Sequence, residues 1–251
     1  VTRDPSLVVS RFSVVLVDET HIAPAETYAA ALSRLDCRYK YGASATPERA
    51  DGLTKVIFWI TGPLRHQVPD SALTGVIIKP TTRVIETNYY FPLFDTSEYQ
   101  DMVSDLAMNA ERNDLIIKAM EDYPTQQIVL LCLRHTQVKE LAARIPGAVT
   151  LISTMTPKQR KAVMADLLTG NHRVVVTTYA LFSTGIDLPE LEVAFFCAPM
   201  KSNVKVRQSA GRLMRISQKI KKKPIIVDFY DKRVELLRHQ NYARQRILRS
   251  L

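Results

Sequence analysis

Short apolar, β-branched runs alternate with stretches of helical spacing along most of the chain. Val14 to Val17 is followed by such a stretch from Ala25 to Leu35, Ile128 to Leu133 by one from Gln137 to Ile145, and Val149 to Ser153 by one from Lys158 to Leu168. Strands that recur with helices between them predict parallel sheets joined by right-handed crossovers. Ile128-Val129-Leu130-Leu131-Cys132-Leu133 and Val174-Val175-Val176 are apolar without alternation, as expected of strands covered on both faces. The pattern predicts an α/β protein with a doubly wound layout.

Ligands of such sheets bind at the carboxyl ends of the strands, and those positions are polar here. Asp18-Glu19-Thr20-His21 follows the first run, Ser44-Ala45-Thr46 follows Arg38 to Ala43, Thr177-Thr178 follows Val174 to Val176, and Asp228 follows Pro224 to Val227. From Val76 to Asp95 the chain is rich in Thr, Pro and aromatics without helical periodicity, and a helical segment is predicted from Tyr99 to Asp122. A boundary in that stretch gives an expected division into residues 1–83, 84–232 and a basic C-terminal helix at 233–251. The first part holds too few strands for a complete domain, so one partial and one complete unit are expected.

The 251 residues carry 34 Lys and Arg against 25 Asp and Glu, a net charge of +9. That balance suits a polyanionic partner, because each neutralised phosphate releases condensed counterions; it does not separate DNA from RNA. Cys37, Cys132 and Cys197 lie far apart in apolar runs, which predicts reduced core thiols and a reducing, cytoplasmic setting. No apolar stretch approaches the roughly 20 residues of a membrane span, so no membrane partner is expected.

An acidic pair at the end of a buried strand can hold a magnesium ion through one carboxylate and activate a water through the other. Asp18 and Glu19 fit those roles, though the same pair could be a solvated turn. Ser44 and Thr46 place small hydroxyls at the same edge, where loop chemistry alone also explains them. Gly185, in Phe182-Ser183-Thr184-Gly185-Ile186-Asp187-Leu188, permits close backbone approach to a ligand or a simple turn. Gln208-Ser209-Ala210-Gly211-Arg212-Leu213-Met214-Arg215 has helical spacing, which puts Arg212 and Arg215 on one helix face where two guanidinium forks could converge on a phosphate. In Arg233 to Leu251, arginines interleave with apolar residues, which reads as an amphipathic helix with a solvated basic face, or as a DNA contact.

Taken in order, the Asp-Glu-x-His, Ser-Ala-Thr, Thr-Gly-x-Asp and Gln-x-x-Gly-Arg-x-x-Arg boxes resemble the signature of superfamily 2 helicases over roughly residues 8 to 231. The wording around them looks most like XPB-type repair helicases and phage UvsW-type branch-migration helicases. The resemblance implies RecA-like parallel sheets flanked by helices, one lobe partial and one complete, with ATP and Mg²⁺ in the cleft between lobes and nucleic acid across their top. It implies Asp18 as the magnesium ligand and Glu19 as the residue that activates water. His21 and Gln208 would communicate between nucleotide and second lobe, while Ser44 and Thr46 would couple hydrolysis to strand grip. Gly185 and Asp187 would approach the nucleotide, and Arg212 with Arg215 would be arginine fingers. Arg134, His135, Ser153, Thr154 and Thr178 would meet the phosphate backbone.

Thr20 stands where many relatives of that family carry alanine. None of the eight glycines belongs to a Gly-x-x-x-x-Gly-Lys-Ser/Thr loop, so a P-loop is expected upstream of Val1 and this chain alone is expected not to hydrolyse ATP. The function expected of the complete protein is ATP-dependent unwinding or branch migration of forked or branched DNA, with single-stranded DNA and RNA as open alternatives. A monomer is expected, in the cytoplasm, or the host's cytoplasm if the protein is phage-encoded. The rival readings are an ATPase-dead nucleic-acid-binding scaffold and the motor subunit of a restriction enzyme.

Overall fold

The computed structural model describes residues 12–44, 52–69, 72, 78–93, 95–185, 188, 191–214 and 223–251. Its contacts divide the chain into two compact units, Val1–Ala72 and Leu73–Leu251.

The first unit pairs strand β1 (Val14–Val17) with β2 (Tyr39–Gly42) in parallel, with helix α1 (Glu26–Ser33) between them and α2 (Thr54–Thr61) after them. A small core of Val17, Ala23, Leu32 and Leu35 closes the turn between the strands. Gly42 has a packing reason. A Cβ there would lie 2.4 Å from Thr20 Cγ2 and 2.9 Å from Thr20 Oγ1, while Thr20 is buried and its Oγ1 donates to Ala43 O at 2.7 Å. The larger residue in the third position of the acidic box is thus accommodated by an absent side chain on the neighbouring strand. Gly42→Ala is expected to destabilise this unit by about 1–3 kcal/mol, the cost of overpacking. Hydrogen exchange of the Thr20 and Ala43 amides checks it, and Thr20→Ala added to Gly42→Ala is expected to restore protection.

The second unit holds a six-stranded, wholly parallel sheet in the order β3-β8-β7-β4-β6-β5. Its strands are β3 (Thr81–Glu86), β4 (Ile128–Cys132), β5 (Val149–Leu151), β6 (Val174–Thr178), β7 (Val193–Phe196) and β8 (Ile225–Tyr230). The helices are α3 (Tyr99–Met108), α4 (Ala110–Ala119), α5 (His135–Arg144), α6 (Pro157–Leu168), α7 (Tyr179–Gly185), α8 (Asn203–Leu213) and α9 (Glu235–Arg249). Strands β4, β6 and β7 are buried at every residue, because alternate side chains enter two separate cores. Val129, Leu131, Val175, Ala194 and Phe196 pack with α7, α8 and α9; Ile128, Leu130, Val174, Val176 and Phe195 pack with α4 and α5. Burying a Leu, Ile, Val or Phe side chain contributes about 1.5–3 kcal/mol, so these two layers hold the sheet that positions the site.

Three elements depart from the sequence pattern. The segment from Tyr99 to Asp122 is not one helix: Asn109 leaves helical geometry, and its side chain accepts the Arg112 N–H at 2.9 Å as the cap of α4. Strand β3 forms where no periodic signal exists, since it is an edge strand with Thr, Arg and Glu side chains facing water. Strand β7, four residues long, lies where no strand is expected from the sequence. β3 also straddles the expected boundary at 83/84 and pairs along its whole length with β8 of the second unit.

Candidate functional site

The first unit brings two of the polar boxes together. Backbone bonds from Ala43 N to Val17 O and from Thr20 N to Ala43 O lock the end of β2 against the turn after β1. His21 Nδ1 then lies 3.1 Å from Glu19 Oε2 and 3.3 Å from Ser44 Oγ. Glu19 adopts a left-handed conformation, φ 51 and ψ 50, and among the described residues it is the only non-glycine with positive φ. Such a conformation costs on the order of 1–2 kcal/mol and aims the carboxylate at His21. Asp18 is exposed, and its Oδ1 accepts the Glu19 N–H at 2.8 Å. Thr46 lies outside the described residues.

In the second unit Gly185 lies on α7, and Gln208 and Arg212 lie on α8. Ser202 caps α8, its Oγ accepting from Lys205 N, and α8 buries Val206, Ser209, Ala210 and Leu213 against the sheet. The opposite side of the helix carries half-buried Gln208 and Arg212. The Arg212 guanidinium donates from Nε (3.3 Å) and Nη2 (2.9 Å) to the Ser183 carbonyl near the end of α7. Gly185 is the last residue of α7; Asp187 and Arg215 lie outside the described residues. A Cβ built on Gly211 meets nothing within 4 Å among the described residues, so none of them demands glycine there. Gly211→Ala is expected to stabilise the chain by about 0.5–1 kcal/mol through helix propensity, read as a higher urea midpoint.

The carboxyl ends of the strands divide into two halves. At β3, β8 and β7 a buried arginine fills the edge: Arg112 Nε and Nη2 donate to Asp231 at 2.8 and 3.1 Å, and its Nη1 donates to Cys197 O. Thr87 Oγ1 donates to the same aspartate at 2.6 Å, and Gln137 Nε2 donates to Cys197 O at 3.4 Å. Burial opposes the Arg112 charge, but Asp231 outweighs it and the guanidinium pKa is raised. The order reversal between β4 and β7, where open α/β sheets bind ligands, is therefore occupied by the protein's own side chains.

The ends of β4, β6 and β5 carry the residues expected at nucleic acid. Arg134 precedes α5, and its Nη2 donates to Gln100 O at 3.1 Å and Gln100 Oε1 at 2.6 Å. His135 Nε2 lies 3.5 Å from Ser153 Oγ, and Ser153 and Thr154 form an exposed turn. Thr178 sits at the same edge but is buried, its Oγ1 accepting from Leu181 N at 3.3 Å; it shapes the start of α7 and does not present a hydroxyl to the surface.

Two expectations are corrected. Asp228 is not at a strand end: it lies inside β8, fully buried, and accepts from Arg244 Nη2 at 2.9 Å, Asn241 at 2.9 Å and Gln245 at 2.7 Å. Arg244 is accordingly a core residue and no part of a solvated basic face. Gln100 and Ser183, which hold Arg134 and Arg212, were not anticipated, because an ordinary glutamine and a backbone carbonyl leave no mark in a sequence. Cys132 and Cys197 are buried free thiols and Cys37 is half-buried; burial pushes the Cys132 thiol well up. No helix among the described residues is long and apolar enough to cross a membrane.

Residues 111–217 match the family model of the helicase conserved C-terminal domain. That match spans less than half of the chain, and in this stretch the chain is similar to helicases. It is 26% identical over 211 residues to the DNA 3'-5' helicase XPB of Mycobacterium tuberculosis, covering 81% of this chain and 38% of the relative. It is 23% identical over 229 residues to the ATP-dependent DNA helicase UvsW of Enterobacteria phage T4, covering 86% and 45%. The fold is RecA-like: the structure of S. cerevisiae Dbp5 bound to RNA and ADP BeF3 superposes with a TM-score of 0.64 at 10% identity, over 95% of this chain and 58% of that one. The chain spans about half the length of the first curated relatives it matches.

Proposed function

We propose that this chain supplies the acidic box and the second lobe of an ATP-dependent DNA helicase or translocase that unwinds or branch-migrates forked DNA. The observation that carries the reading is the meeting of Glu19, His21 and Ser44 at one strand edge. A motor must connect the group that activates water to a group that senses the bound strand, and a scaffold has no use for that connection. In this reading Glu19 activates the attacking water, and His21 passes its state to Ser44 and Thr46. Gly185 and Asp187 approach the nucleotide, Gln208 like His21 communicates between nucleotide and second lobe, and Arg212 and Arg215 stabilise charge on the transferred phosphoryl group.

Mg²⁺ fits the residues present. Among the described residues no cluster of three or more His, Cys, Asp or Glu side chains could cage a metal, and magnesium in phosphoryl transfer takes one or two carboxylates with the rest from phosphate and water. The exposed carboxylate of Asp18 would supply one such oxygen. Arg134, His135, Ser153 and Thr154 would meet the phosphate backbone, which positions a strand without reading its bases. DNA is proposed as the substrate after the names of XPB and UvsW, while a mimivirus relative is named an ATP-dependent RNA helicase, and the RNA arm of the test decides between them; forked DNA follows the UvsW-type wording of the boxes.

The test is ATP turnover by the full-length gene product with forked DNA, with RNA and with neither, beside the 251-residue chain alone. Turnover by the full-length protein, stimulated by forked DNA, supports the proposal. Glu19→Gln in that protein is expected to abolish turnover while sparing ATP binding. DNA binding without any turnover would replace the motor by the ATPase-dead scaffold, and DNA cleavage would favour the restriction-enzyme motor.

A further inference from the structure

Helix α9 has two dissimilar faces. Leu237, Gln240, Asn241, Arg244, Ile247 and Leu248 are buried against the second unit, whereas half-buried Arg238 and exposed Tyr242, Arg246 and Arg249 recur at spacings of four, four and three and so form one stripe. The stripe borders a groove of about 550 Å³ between α9 and the sheet, walled by Val84, Tyr230, Tyr242, Arg246 and Arg249. Val84 belongs to the edge strand β3 and is 43% exposed; Tyr242 is 59% exposed. The Tyr230 and Tyr242 rings lie 5.8 Å apart and tilted by 48°, with their hydroxyls 3.0 Å apart, which fixes Tyr242 as a rigid platform.

Among the described residues neither Arg246 nor Arg249 is within ion-pair distance of a carboxylate. Glu86, at the end of β3, is bound to Lys232 at 2.5 Å. Arginines in the last helical turn complement the helix dipole, which accounts for their charge but not for an exposed aromatic platform beside them. A basic groove with an aromatic face is the arrangement that binds single-stranded nucleic acid, the cations tracking phosphates and the ring stacking a base. We propose that the groove between α9 and β3 binds single-stranded nucleic acid, with a base on Tyr242 and phosphates on Arg246 and Arg249, as a contact separate from the β4, β6 and β5 edge. It rests on the motor reading only for the source of the strand.

The experiment is fluorescence anisotropy of a labelled single-stranded DNA oligonucleotide with the 251-residue chain across a salt series. Removing two phosphate contacts in Arg246→Gln with Arg249→Gln is expected to reduce the slope of log K against log salt by about 1.4. Tyr242→Ala is expected to weaken binding about tenfold, and Tyr242→Phe to weaken it less, since the stacking face is kept while the hydroxyl contact to Tyr230 is lost. All three side chains are exposed, so an unchanged far-ultraviolet circular dichroism spectrum and thermal midpoint confirm folding. An unchanged slope together with a neutral Tyr242→Ala overturns the proposal, as does a chain that binds poly-glutamate through these residues and not DNA. If only His135→Ala with Ser153→Ala weakens binding, this groove is excluded while the motor reading stands. If the α9 variants weaken binding yet the full-length protein shows no turnover, the groove stands and the motor falls.

Discussion

Arg212→Ala in the full-length protein is expected to lower ATP turnover by about 10³-fold or more, the loss seen when an arginine finger is removed. The geometry explains why the effect should be large. Nε and Nη2 share the Ser183 carbonyl at 3.3 and 2.9 Å, which fixes the plane of the guanidinium before any phosphate arrives, so no reorganisation is required at the moment of reaction. Arg212→Lys separates catalysis from architecture. An ammonium keeps the charge but cannot make the paired donation, so turnover should stay low while the thermal midpoint stays near wild type. Losing the donation to the Ser183 carbonyl by itself costs about 1 kcal/mol in stability. A variant that turns over within tenfold of wild type would make Arg212 a surface residue that ties α8 to α7 and nothing more.

Asp231→Ala is expected to destabilise the second unit by about 3–5 kcal/mol, because it strands the Arg112 guanidinium inside the protein. Both side chains are about 98–99% inaccessible, and the same arginine stacks over Phe229 at 5.5 Å, so water cannot replace the lost carboxylate. For a unit of this size the midpoint should fall by on the order of 10 °C. Thr87→Val, which removes one hydrogen bond to Asp231, should cost about 1 kcal/mol. Asp122→Ala breaks an ion pair with Arg83 whose side chains are 45% and 54% exposed, and should cost a few tenths of a kcal/mol at most, about the worth of a solvated pair. Equal effects of Asp231→Ala and Asp122→Ala in thermal unfolding would refute the buried plug.

Arg112 matters to the proposed motor because of where it stops. It ties the ends of β3, β8 and β7 through Thr87, Asp231 and Cys197 O, leaving the ends of β4, β6 and β5 to carry Arg134, His135 and Ser153. Weakening the plug should therefore loosen the sheet edge beside the proposed strand contacts. Asp228 and Arg244 do the equivalent for α9, locking one face of the helix inward and fixing which arginines remain outside.

Much of this was legible in the residues themselves. Continuous apolar runs at Ile128 to Leu133 and Val174 to Val176 require cover on both faces, and that alone specifies parallel strands between helices. The boxes at Asp18, Ser44, Gln208 and Arg212 acquire their expected roles only when taken together in order, as a resemblance to superfamily 2 helicases; singly, the acidic and hydroxyl boxes also fit ordinary turns. What the tertiary structure decided is pairing across long separations. Arg112 and Asp231 are 119 positions apart, and Asp228 meets Arg244 only because α9 packs back on β8; nothing local marks either partner as buried. The same holds for Gly42, whose missing side chain makes room for Thr20 on the neighbouring strand, and for the stripe of α9 that faces water. Periodicity is a property of neighbouring residues and survives in the sequence, whereas burial of a charge depends on strand order and helix placement, which exist only once the chain is folded.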